Sequence, residues 1–230
     1  MKIINFIILC IVISFSPIKS YSQEAEQGSA NYIKVVVFGD SLVSGYQLNS
    51  KSNFKNTLEK KLHSQNYKSI RIYNGAVEGQ TTEIALSRVD TVIKLRPDIV
   101  ILALGSNDAF NNVPLEKIFT NLDAILQKLY SYKIKVLLAG VRLPDGAKDE
   151  YTGQMAGMFE YLQRKYRVQL YPNLLEGVYG VPKNVVQDLI HPSAEGTKVM
   201  VEKIFPHLEI LFIKQYRELI RNARQKRRQR

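Results

Sequence analysis

Ser41 stands where a strand-like run ends. Ile33-Lys34-Val35-Val36-Val37 is rich in β-branched residues, and Phe38-Gly39-Asp40-Ser41-Leu42 follows it directly. A serine at the carboxyl end of a strand lies where open α/β sheets place their ligands. Serine is a poor nucleophile until a base takes its proton. The chain offers three histidines. His63 sits on a lysine-rich helical face and His207 follows Pro206 on a helix edge, so both read as surface residues. His191 closes Asp188-Leu189-Ile190-His191, which puts a carboxylate three residues before an imidazole. In a turn that spacing brings both side chains to one side. Asp188 can then accept Nδ1–H and aim Nε2 outward as a general base. Taken alone, His191 reads equally well as a polar residue before Pro192. Asp40 is a rival carboxylate. Its side chain, adjacent to Ser41 in an extended segment, points away from it, so Asp40 is assigned to bracing the loop.

Acyl transfer also needs donors for a tetrahedral oxyanion. Three are available on paper: the Ser41 backbone N–H at a helix entrance, the Gly79 N–H, and the Asn107 side-chain amide. Gly79 lets a backbone approach a substrate closely. Individually they also read as a turn glycine and a helix cap. Together with Asp188 and His191 they place suitable groups on four loops.

The elements that must position these groups follow from periodicity. Phe54, Leu58 and Leu62 recur every four residues, predicting a helix over 52–66. Ile70 to Tyr73 alternates as a second strand and leads into a Gly-bearing loop, 74–82. A helix over 83–95 is stopped by Arg96-Pro97-Asp98. Ile99 to Leu104 is continuously apolar, as in a strand covered on both faces. Leu115, Ile118, Leu122, Ile125, Leu126 and Leu129 form a helical stripe. Lys135 to Ala139 and Val168 to Tyr171 are the fourth and fifth strands, with a helix marked by Met155, Phe159 and Leu162 between them. The last helix carries Val199, Ile204 and Leu208 and is expected to break at Pro206. Five strands alternating with helices argue one doubly wound α/β sandwich on a parallel sheet.

Composition sets the frame. The chain has 230 residues, 45% hydrophobic and 23% charged, enough for one sizeable core. Residues 1–22 read as a signal peptide. Lys2 precedes an apolar run from Ile3 to Phe15, which is shorter than the roughly 20 residues of a spanning helix. Ser20-Tyr21-Ser22 supplies small residues before a cleavage point at Gln23, and 23–31 is a polar linker to a catalytic domain over 32–213. An uncleaved N-terminal anchor is the alternative. The single cysteine, Cys10, lies inside the apolar run. A cleaved chain therefore holds neither a disulfide nor a cysteine metal site. The formal charge is +11, but seven basic residues fall in the last fourteen positions against Glu218 alone. The basicity thus belongs to a tail, 214–230. That tail is read as a solvated helix end or as a contact for anionic membrane lipid, and not as a nucleic-acid site in an exported chain.

Gly39-Asp40-Ser41-Leu42, Gly79, Gly105-x-Asn107-Asp108 and Asp188-x-x-His191 resemble, in order and spacing, the four blocks of the SGNH (GDSL) hydrolases. More narrowly the chain is similar to their bacterial periplasmic branch of acyl thioesterases, arylesterases and lysophospholipases. Further stretches that carry this are Val141-Arg142-Leu143-Pro144 and Leu174 to Tyr179. The resemblance covers about Ile33 to Leu211. It implies Ser41 as nucleophile, His191 as base and then acid, Asp188 as its orienter, and an oxyanion hole of Ser41 N–H, Gly79 and Asn107. It also implies a flavodoxin-like three-layer sandwich with strand order 2-1-3-4-5, no metal or cofactor, and a small acyl ester, thioester or lysophospholipid as substrate. Leu143 and Pro144 fall on the loop that meets the acyl group in the family. A monomer is the default. The competing readings are a lipid-binding envelope protein on the same fold and a carbohydrate acetylesterase. Three departures stand out: Glu78 where a small residue is usual, Asp145-Gly146-Ala147-Lys148 in the acyl loop, and Leu189 where glycine is common.

Overall fold

The strands carry two apolar faces at once, and the helices sort themselves by which face they cover. In β1 (Ile33–Gly39), Ile33, Val35 and Val37 join one buried cluster while Val36 and Phe38 join another. The same alternation runs through β3 (Ile99–Ala103) and β4 (Lys135–Ala139). This is the two-residue period of a strand with both sides packed. The computed structural model describes residues 32–142 and 149–229. The expected signal peptide, the linker, Leu143, Pro144 and Arg230 lie outside the described residues.

With β2 (Ile70–Asn74) and β5 (Gln169–Tyr171), the strands form one all-parallel sheet in the order β2-β1-β3-β4-β5. Helices α1 (Ser41–Ser44), α2 (Phe54–Ser64), α3 (Thr82–Lys94), α4 (Ser106–Phe110), α5 (Leu115–Ser131), α6 (Asp149–Tyr166) and α7 (Ala194–Arg228) complete the described residues, with short 3-10 turns at Ser50–Ser52 and Pro182–Asn184. One face of the sheet packs against α2 and α7, the other against α3, α5 and α6. The expected fold class and strand order are therefore present.

Helix ends follow local chemistry. Asn53 accepts a hydrogen bond from Asn56 N and starts α2 two residues later than the apolar spacing predicts. Thr81 caps α3 through Ile84 N. One expectation is overturned: α7 runs unbroken through Pro206. An interior proline costs about 3 kcal/mol. Val201, Ile204, Phe205 and Leu208 around it are all buried in the sheet-facing cluster, and each such side chain contributes about 1.5–3 kcal/mol. Packing on both sides of the proline outweighs the local defect.

Candidate active site

The carboxyl ends of β1, β2 and β3 and the loop before α7 meet at one edge of the sheet. Ser41 is the first residue of α1, and Asp40 caps that turn by accepting a hydrogen bond from Leu42 N at 3.0 Å. Ser41 is largely buried.

The Asp188–His191 loop is held between β5 and α7 by its backbone. Val185 and Pro192 form an isolated antiparallel bridge, Val186 N donates to His191 O, and Ser193 N donates to Asn184 O. Gly196, in the first turn of α7, makes this docking feasible. A Cβ there would stand 1.9 Å from the Asn184 carbonyl oxygen, far inside contact distance.

Within the loop, Asp188 Oδ1 accepts from the backbone N–H of both Ile190 and His191 at 2.9 Å. Its Oδ2 lies 2.7 Å from His191 Nδ1, and His191 Nε2 lies 2.8 Å from Ser41 Oγ. A carboxylate on Nδ1 holds the ring proton there, leaving Nε2 to accept the serine hydrogen. Partial burial pulls the Asp188 pKa upward, but the two backbone donors and the His191 ring outweigh it and hold it below the ordinary value. Asp188 is thus a carboxylate wherever the imidazole is neutral.

The structure brings the second and third loops to the first through a buried polar lattice. Ser106 Oγ donates to Asp40 Oδ2. Gln80 Nε2 donates to Gly39 O at 3.0 Å, and Asn107 Nδ2 donates to Gln80 O at 3.2 Å. Arg88 donates to Gln80 Oε1 and, at 3.4 Å, to Gly75 O. Asp108, also buried, accepts from Thr82 N at 2.8 Å and Thr82 Oγ1 at 2.6 Å, and Asn121 donates to the same hydroxyl. Gly79 adopts φ +69, a left-handed conformation that favours glycine. An amide carries two hydrogens, and the second on Asn107 Nδ2 has no partner among the described residues. Glu78, beside Gly79, is exposed to solvent.

Asp40 does not share the histidine. Its oxygens are taken by Leu42 N and Ser106 Oγ. Burial pushes its pKa up to about 6, against the pull of those two hydrogen bonds. Its geometry is that of a brace.

Sequence reasoning missed Gln80, Arg88 and Tyr46. The Tyr46 ring lies against the His191 ring, centroids 4.4 Å apart. Only a polar residue before Thr81-Thr82 hinted at Gln80, because the partners that tie it to the first and third loops, Gly39 and Asn107, are distant in sequence. Beside Leu42, the neighbour of Ser41, a narrow and mainly apolar slot is bordered by Phe110, Val141, Leu174 and Ile190, with Arg142 and Asn173 as polar members of its wall. Among the described residues no cluster of three or more His, Cys, Asp or Glu side chains is placed to hold a metal.

A serine, an imidazole and a carboxylate in line, at the carboxyl edge of a parallel α/β sheet, define a serine-hydrolase type of site. Residues 37–199 match the model of the GDSL-like Lipase/Acylhydrolase family, and the chain belongs to that family of ester-bond hydrolases. It is 28% identical over 178 residues to an arylesterase of Vibrio mimicus, covering 76% of this chain and 88% of that one. It is 25% identical to thioesterase 1/protease 1/lysophospholipase L1 of Escherichia coli K12, covering 77% and 84%. The crystal structure of TesA superposes with a TM-score of 0.74 at 27% identity, over 77% of this chain and 99% of that chain.

Proposed function

We propose that the chain hydrolyses carboxylic esters and thioesters, lysophospholipids among them, through an acyl-enzyme on Ser41. The observation that carries this is the line Ser41 Oγ–His191 Nε2 and His191 Nδ1–Asp188 Oδ2, 2.8 and 2.7 Å long. Ser41 Oγ attacks the acyl carbonyl carbon as its proton passes to His191 Nε2. The carbonyl oxygen becomes an oxyanion held by the Ser41 and Gly79 N–H groups and the Asn107 amide. Collapse breaks the bond to the alcohol or thiol, which leaves with the proton from His191. Water, deprotonated by the same Nε2, attacks the acyl-Ser41 ester; collapse frees the acid and returns the proton to Ser41. Asp188 orients the imidazole and stabilises its charged form.

The apolar slot accepts the acyl chain, and the family resemblance assigns Leu143 and Pro144, which follow Arg142 in sequence, to contact with the acyl group. The slot's mainly apolar border favours an acyl chain over an acetylated sugar. The chain is exported, released by cleavage before Gln23. Among the described residues no helix is long and apolar enough to cross a membrane.

Hydrolysis of p-nitrophenyl esters of increasing chain length tests the reading. Ser41→Ala loses on the order of 10⁶ in turnover, and Asn107→Ala about 10²–10³. Parental rates in Ser41→Ala would refute the assignment.

A further inference from the structure

The last three turns of α7 run past the body of the fold. Gln215 is the last buried residue. It donates to Asp98 Oδ1 at 2.7 Å and accepts from Lys135 Nζ at 2.6 Å. Glu218, the last acidic residue of the chain, is taken up by the same Lys135 at 2.6 Å. From Leu219 to Gln229 every residue is exposed. Arg221, Arg224, Lys226, Arg227 and Arg228 follow Glu218 with no carboxylate among them. Neither these residues nor Arg217 form an ion pair among the described residues.

The positions are not scattered. Ile210, Ile213, Arg217, Ile220, Arg224 and Arg227 recur at alternate spacings of three and four, which on a 3.6-residue helix draws one stripe. Ile210, Ile213 and Ile220 are 42%, 43% and 53% exposed on it. Arg217, Ile220, Arg221, Arg224 and Arg228 border one shallow furrow. We infer that this face of α7, from Ile210 to Arg228, is a docking surface for an anionic lipid bilayer. Isoleucines on the stripe enter the headgroup boundary while the arginines beside them meet lipid phosphates. Charge complementarity asks for an anionic partner, and the exposed isoleucines select a bilayer over a nucleic acid, which has no use for them. A second copy of the helix would set guanidinium against guanidinium in the seam.

The surface leaves the fold at Lys135 and Asp98, where β3 and β4 begin, whereas Ser41 lies where β1 ends. Docking and hydrolysis are therefore separable by mutation. The test is flotation of the full chain with phosphatidylcholine vesicles, with and without phosphatidylglycerol. The reading is the anionic-to-neutral ratio, which cancels whatever both vesicles bind alike. That ratio favours the anionic vesicles and falls as salt rises. Arg221→Gln with Arg224→Gln lowers it about 25-fold, about fivefold per arginine. Ile213→Ser with Ile220→Ser lowers anionic partitioning on the order of tenfold. Both double variants keep the parental rate on p-nitrophenyl esters. An unchanged ratio in the arginine variant overturns the proposal. So does unchanged partitioning in the isoleucine variant, or a dimer at equilibrium that accounts for the exposed face.

Discussion

Two aspartates compete for the role of histidine partner, and geometry separates them. Asp188 touches Nδ1 at 2.7 Å and is anchored by two backbone N–H groups. Asp40 spends its oxygens on Leu42 N and Ser106. Replacing Asp188 with Asn leaves the ring in place but removes the acceptor for Nδ1–H. By analogy with serine proteases the loss is about 10⁴ in turnover. Asp40→Asn keeps the cap oxygen and loses far less. pH–rate profiles of the two variants check this, and a larger loss in Asp40→Asn would exchange their roles. Ser41, Asp188 and His191 were legible in the sequence because each carries a local signal: a strand end, a carboxylate at turn spacing. Gln80 carries only its polarity before Thr81-Thr82, and Tyr46 carries none. Gln80 matters through Gly39, Asn107 and Arg88, and Tyr46 through a ring that the fold brings to it.

At the scale of elements, the loop bearing the imidazole carries local backbone strain. Leu189 adopts φ 61, in the left-handed region, with its side chain 62% exposed. A side chain in that conformation costs roughly 1–2 kcal/mol. The N–H groups that follow it bind Asp188, which keeps the turn closed. Leu189→Gly relieves the strain and returns part of the gain as unfolded-chain entropy, about 0.4–1 kcal/mol. The variant is therefore about 0.5 kcal/mol more stable in urea unfolding, with esterase turnover unchanged; destabilisation by more than about 1 kcal/mol would mean that the leucine packs. Strands were legible because their apolar runs are short and bounded by glycine, proline and asparagine. The break expected at Pro206 was misread because local propensity says nothing of Val201, Ile204, Phe205 and Leu208, which hold α7 on the sheet. The left-handed turn at Leu189 had a trace only in a family comparison, where glycine is common at that position.

On the scale of the whole unit from Tyr32 onward, the buried lattice beneath the loops makes stability depend on pH. Asp40 rises from 3.8 to about 6 through burial. A raised carboxyl stabilises the fold fully below its unfolded value, and that contribution fades as pH climbs through the folded value. The parental chain therefore loses roughly 3 kcal/mol between about pH 4 and 7 from this group. Asp40→Asn abolishes that slope, which unfolding midpoints at several pH values measure; an equal slope in parent and variant would place the effect elsewhere. The fold stands on residues from β1 to Gln215 of α7, and the catalytic edge lies where the strands end, while the basic end of α7 projects from the edge where β3 and β4 begin. The account rests on Ser41 as the atom that becomes acylated. Its most direct measurement is peptide mapping by mass after reaction with a fluorophosphonate. A single adduct on the Ser41 peptide is expected, absent in Ser41→Ala and formed far more slowly in His191→Ala. An adduct on any other residue, or labelling of His191→Ala at the parental rate, would contradict it.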